Sequence, residues 1–155
     1  MELSAIIIII LVGILSVYVF YLVGIYIKLE NRNSLILTKF TEIETYLEEK
    51  QELLTKLVEL TNDEELKESV NKMRESIRVN DKIKYDKLIN SILKNRTYDD
   101  KKIIKLEKEI DKINEKINYS KEFYNDSLYE YNMILSTISG KIIQKIFKYV
   151  VYSNY

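Results

Sequence analysis

From Leu3 to Ile27 the chain is almost wholly apolar and carries no charged residue, a run longer than the roughly 20 residues that a bilayer core requires. The pattern predicts a membrane-spanning helix. A secretory signal would instead put basic residues ahead of an apolar run of about 7–15 residues and small residues behind it. Here residue 2 is Glu and the run ends in Tyr26-Ile27-Lys28, so residues 1–28 read as an uncleaved anchor. Beyond it, apolar residues alternate in steps of four and three: Ile36, Phe40, Ile43, Leu47, then Leu54 and Leu57, with Lys50 interrupting the seam. The same alternation runs through Ile103, Leu106, Ile110, Ile113, Ile117 and Tyr124, with Ser120 in a missing slot, and resumes at Leu128, Tyr131, Leu135 and Ile138. Each is the stripe of a long helix that buries one face.

Between these two helices, Thr61-Asn62-Asp63-Glu64 fits a capping box opening a helix that carries Leu66, Val70, Met73 and Ile77 and ends near Val79. Asn80-Asp81 reads as a turn or a new cap before a shorter segment with Tyr85, Leu88, Ile89, Ile92 and Leu93. The polar cluster Asn95–Asp100 is a loop, with Thr97 or Asp99 capping the long helix that follows and Ser139-Gly140 ending or bending it. A last helix from Lys141 to about Tyr152 puts Ile142, Ile143, Ile146, Phe147 and Val150 on one side and Lys141, Lys145 and Lys148 on the other. Proline is absent and no glycine falls between residues 25 and 139, so the anchor and the first stripe can form one helix to about residue 60. At 1.5 Å per residue it would project some 50 Å beyond the bilayer. The expected fold is all-α: a transmembrane helix, then residues 29–155 as an antiparallel bundle of three to four helices. A coiled coil between chains is the alternative, and it would make the protein a homo-oligomer.

Composition narrows the function. The 24 basic and 24 acidic side chains balance, so no net field calls for nucleic acid. With neither His nor Cys, the commonest general base, metal ligand and nucleophile are missing. Carboxylate pairs such as Glu48 with Glu52 and Glu107 with Asp111 occur at helical spacing and read as solvated faces beside lysines such as Lys108 and Lys112. A carboxylate di-metal bundle site would need a Glu-x-x-His repeat, and no phosphate-binding glycine loop occurs. No enzyme, cofactor or metal site is expected. Lys28, Arg32 and Lys39 follow the span and no Lys or Arg precedes it. That bias puts the N-terminus outside a cell membrane crossed once and the bundle in the cytoplasm. Tyr21 and Tyr26 stand where hydroxyls reach headgroups, and Gly13 and Gly24 are too far apart for close helix pairing.

The densest unusual segment runs from Tyr119 to Asp126 and is followed one heptad later by Tyr131-Asn132. Tyr124 and Tyr131 share one helix face, as do Asn125 and Asn132. The rings suit a bundle seam whose hydroxyls and amides fix register. Alternatively, Asn125, Asp126 and Asn132 make a polar strip flanked by aromatics on which a protein partner can dock.

These residues resemble the LemA family of bacterial proteins, which have one N-terminal transmembrane helix and a helical domain. Phe40, Ile43, Leu47, Lys50, Glu52, Leu53, Leu54, Leu57 and Val58 fall at the spacing of one family signature. Ile117, Lys121, Tyr124-Asn125-Asp126 and Tyr131-Asn132 follow a second. The chain would be a divergent member: Lys50 and Lys121 stand where the family has arginines, Thr55-Lys56 where it tends to Pro-Asn, Ser139 where it has Pro and Phe40 where it has Trp. The resemblance implies a membrane-bound helical bundle and supplies no catalytic site. Two functions are therefore expected to compete. One is a non-enzymatic scaffold or adaptor that meets a membrane or peripheral protein through Tyr124, Asn125, Asp126, Tyr131 and Asn132. The other is a membrane-organising protein whose closing helix lies on the lipid surface through Lys141, Lys145 and Lys148, with Phe147, Tyr149, Tyr152 and Tyr155 in its tail.

Overall fold

The computed structural model describes residues 3–151; Tyr152 and Tyr155 lie outside the described residues. Five helices follow one another, α1 Leu3–Thr61, α2 Glu64–Glu75, α3 Val79–Lys94, α4 Lys101–Ser136 and α5 Ile138–Phe147, and no strand occurs among the described residues. The fold is all-α, as the stripes predict, and α1 joins the apolar run and the first stripe in one unbroken helix.

The helix boundaries differ from those expected. Thr61 does not open the second helix; it closes α1, its hydroxyl bonding back to Leu57 O. Asn62 then turns left-handed at φ 50°, a conformation that asparagine tolerates better than most residues. Asp63 is the N-cap of α2, its carboxylate accepting the Leu66 N–H at 3.1 Å. Helix α2 stops at Glu75, so Ile77 is left 95 % exposed in the connection rather than in a stripe. Asn80-Asp81 is no turn but the first turn of α3. Asp100, not Thr97 or Asp99, serves the start of α4, its carboxylate accepting the Lys102 N–H. The long helix breaks at Ser136-Thr137, three residues before Gly140. Thr137 caps α5 by accepting the Gly140 N–H at 3.0 Å, and Ile138, expected in the α4 stripe, is therefore 82 % exposed. Helix α5 also ends before Tyr152, at Lys148, which is left-handed at φ 56°.

Among the described residues the helices form two compact units, one of Thr38–Tyr124 and one of residues 3–37 together with residues 125–151. In the Thr38–Tyr124 unit, Ile43, Leu47, Leu54 and Leu57 of α1 are buried with Leu66, Val70 and Met73 of α2, Ile83, Ile89 and Ile92 of α3, and Ile103, Ile110, Ile113 and Ile117 of α4. Burial of each such side chain is worth about 1.5–3 kcal/mol. In the other unit the core is Leu29 and Ile36 of α1, Leu128, Tyr131 and Leu135 of α4, and Ile143 of α5.

Within that second unit, Gly140 explains why a glycine sits inside α5. A Cβ there would fall 2.0 Å from the backbone carbonyl oxygen of Ile134, so only glycine lets α5 fold back this closely on the end of α4. The pairing of α4 with α1 is marked by an ion pair of 2.6 Å between Arg32 and Glu130.

Before any bilayer is considered, the first part of α1 is set apart by its surface. An 18-residue window has mean hydropathy 3.0 and none of it is buried within the protein. The helix is long and apolar enough to cross a membrane.

Candidate functional site

Lys50 does not interrupt the α1 seam; it occupies it, with no exposed surface at all. Leu29, Ile36, Ile43, Lys50 and Leu57 recur every seven residues, and each is buried. The Lys50 ammonium donates to the Asp86 carboxylate at 2.5 Å, to Asn90 Oδ1 at 2.7 Å and to Asn114 Oδ1 at 2.5 Å. Asp86 is itself 3 % exposed and also accepts from the Asn90 amide. An ammonium has three donors, and all three are used here. Burial pulls the Lys50 pKa below the usual lysine value, opposed by the adjoining Asp86 charge. Lys121, half-buried nearby, is lowered for the same reason, with Asp86 again opposing. The cluster ties α1, α3 and α4 together at one point, which suits a register-fixing role more than a chemical one.

Sequence reasoning missed Asp86. The signal was there: Ile83, Asp86 and Ile89 stand three apart, so the acid occupies a slot of the α3 stripe, as Lys50 does in α1. A lone charge in a stripe suggests an interruption; two of opposite sign suggest a pair.

Beside this cluster a cleft of about 520 Å³ opens between α3 and α4, lined by Asn90, Lys94, Glu107, Asp111, Asn114 and Asn118 among others. Glu107 has its pKa raised by burial and by the neighbouring Asp111 charge. No group of three His, Cys, Asp or Glu able to hold a metal occurs among the described residues.

Ser120, the other gap in a stripe, is also buried and donates to Glu42 at 2.8 Å. Glu42 accepts Lys39 as well, at 2.8 Å, and these bonds from Lys39 and Ser120 lower its pKa. Lys39 lies 5.8 Å and 5.6 Å from the ring centroids of Tyr119 and Phe123, which are 4.6 Å apart and tilted by 47°. Both rings remain exposed, Tyr119 by 58 % and Phe123 by 40 %, making an aromatic patch whose cation is already in place.

The residues singled out on α4 separate by direction. Tyr124, in the Thr38–Tyr124 unit, and Tyr131, in the other, are buried. The Tyr131 hydroxyl donates to Val150 O at 3.0 Å, and its ring meets Tyr149 edge-on at 6.2 Å. Asn125 and Asp126 face solvent, whereas Asn132 is half-buried. Lys141, Lys145 and Lys148 are exposed at α5 and its C-terminus.

Around α5 an aromatic cluster forms with α1: Phe147 lies 4.7 Å from Tyr26, and Tyr149 lies 6.4 Å from both. The Tyr149 hydroxyl donates to Glu30 at 2.6 Å. Burial and the Glu30 carboxylate push its pKa well up.

Compared with known proteins, the chain matches the model of the LemA family over residues 22–155. No curated protein and no solved structure matches it.

Proposed function

The chain belongs to the LemA family, and from that premise we propose that it is a non-enzymatic scaffold or adaptor, anchored by a single pass, that presents a helical face to a membrane or peripheral protein. The observation that carries the reading is the continuity of α1. One helix contains both the uncovered apolar window and the buried seam of the bundle, so the anchor is part of the folded body rather than a tether to it. The bundle lies in the cytoplasm of the cell, a side supported by Lys28, Arg32 and Lys39 just after the span.

The docking residues are the outward-facing Asn125 and Asp126, with Tyr124 and Tyr131 holding the helix that carries them and Asn132 at its edge. Their exposure supports this division of labour. The buried ammonium, with every donor satisfied internally, has nothing left to offer a substrate, which favours a scaffold over an enzyme.

A photo-activatable amino acid at Asn125 or Asp126, in the full chain in its own membranes, tests the reading. The expected result is one adduct of defined mass that is absent when the same group replaces Lys72 on the exposed face of α2. Identical adducts at all three positions, or none at any, would remove the adaptor reading.

A further inference from the structure

The apolar face of α5 is wider than the bundle covers. Ile143 and Gly140 turn into the unit, whereas Ile138, Ile142 and Ile146, spaced four apart along one side of the same helix, stay uncovered. Val150 and Val151 extend this surface beyond the helix. A protein of this size does not usually leave so contiguous an apolar stripe to water.

Where α5 is held tells what covers it. At its C-terminal end, Phe147 packs on Tyr26, the penultimate residue of the charge-free run, and Tyr149 bonds to Glu30 just past it. At its N-terminal end, Gly140 lies against Ile134, which lines a cleft with Lys28 and Asn31. The C-terminal end is therefore fastened at residues 26–30 of α1, and the N-terminal end rests on the stretch of α4 that lines a cleft with Lys28 and Asn31. This is the level at which the apolar window ends and the first charges appear. Lys141 and Lys145, one turn apart, flank the isoleucine stripe, and Lys148 follows at the C-cap. An uncovered apolar stripe edged by lysines is the pattern of a helix that lies in a lipid interface, with ammonium groups among anionic headgroups.

We propose that α5 is an interfacial helix: its Ile138, Ile142 and Ile146 stripe inserts into the anionic leaflet of the same bilayer that α1 crosses. Because α5 is anchored through Phe147 and Tyr149 where the exposed apolar surface of α1 ends, a single bilayer would cover both. Lys141, Lys145 and Lys148 set the depth by staying at the headgroups. The inference rests on α1 spanning the membrane and is independent of any protein partner.

The absence of cysteine makes a direct test simple. Single cysteines at Leu15, Ile138, Lys141, Ile142, Lys145 and Ile146 would carry nitroxide labels in the full chain reconstituted into phosphatidylcholine–phosphatidylglycerol vesicles. Collision with oxygen, which concentrates in lipid, and with a water-soluble nickel chelate would then be compared. The expected result is a high oxygen-to-nickel ratio at Ile138, Ile142 and Ile146, approaching that at Leu15, with a drop at Lys141 and Lys145. Ready nickel access at the three isoleucines, with Leu15 still lipid-exposed, would overturn the proposal and leave the anchor standing. Shielding from both reagents would mean that protein, such as a second copy, covers the stripe, and would also overturn it. Nickel access at Leu15 would overturn both the anchor and the interfacial helix.

Discussion

The ammonium of Lys50 and the carboxylate of Asp86 meet at 2.5 Å, 36 residues apart in sequence and both inside the core of the Thr38–Tyr124 unit. Two charges removed from water repay their desolvation only when geometry and additional hydrogen bonds are good. Asn90 and Asn114 supply those bonds.

Lys50→Met should therefore cost about 3–5 kcal/mol, because it leaves the Asp86 carboxylate buried without its counter-charge. Lys50→Met combined with Asp86→Leu should cost less than the sum of the two single changes. Denaturation of the four proteins in mild detergent, followed by far-UV circular dichroism, reads the coupling; additive losses would show that the pair is energetically inert.

A different ion pair should contribute to acid sensitivity. Asp63 accepts the Arg96 Nε–H at 2.9 Å and caps α2, and the Arg96 bond first, then the Leu66 N–H, lowers its pKa. A carboxyl whose folded pKa lies below its unfolded value contributes stability above the unfolded value and loses it as pH falls through the folded one. Melting temperature should thus fall with acidification below the ordinary aspartate range of about 4. Asp63→Asn keeps a capping oxygen and should flatten that part of the profile. An unchanged profile would assign acid sensitivity elsewhere.

Gly140→Ala should undock α5, since the new methyl meets the Ile134 carbonyl rather than a side chain that can swing away. Overpacking typically costs about 1–3 kcal/mol. Trypsin cleavage at Lys141 and Lys145 should accelerate in the variant while cleavage at Lys72 does not, and equal rates at both places would show that the backbone absorbs the clash.

The α4 residues should divide sharply on substitution. Tyr131→Ala removes a ring with no exposed surface and a hydroxyl bonded to Val150, and a loss of about 3–5 kcal/mol is expected. Asn125→Ala and Asp126→Ala, both exposed, should change stability by about 0.5 kcal/mol or less. Thermal melts of the three variants show which can be used in binding experiments without unfolding the bundle.

Apolar periodicity made the helices and most of the core legible, because Ile43, Leu47, Ile110 and Ile117 are buried for the reason that they recur. It misjudged the polar residues lodged in the stripes. Lys50 and Ser120 looked like gaps, since their partners Asp86 and Glu42 lie 36 and 78 residues away. Helix ends were displaced by competition between neighbouring caps: Thr61 lost to Asp63, and Ser139-Gly140 to Thr137. Glycine at 140 suggested a break, whereas its missing side chain serves a close approach. On α5, the apolar and basic positions were visible in sequence, but only the packing separates Ile143, which turns inward, from Ile142 and Ile146, which do not.

The Lys50 cluster also sets a schedule for the newborn chain. Its acceptors come from α3 and α4, so until Asn114 has been made, α1 carries a lysine in its seam whose full set of partners does not yet exist. A partial bundle of α1 and α2 would have to strand that charge or keep the seam open to water. Closure of the seam around Lys50 is therefore expected only once α3 and α4 have been synthesised.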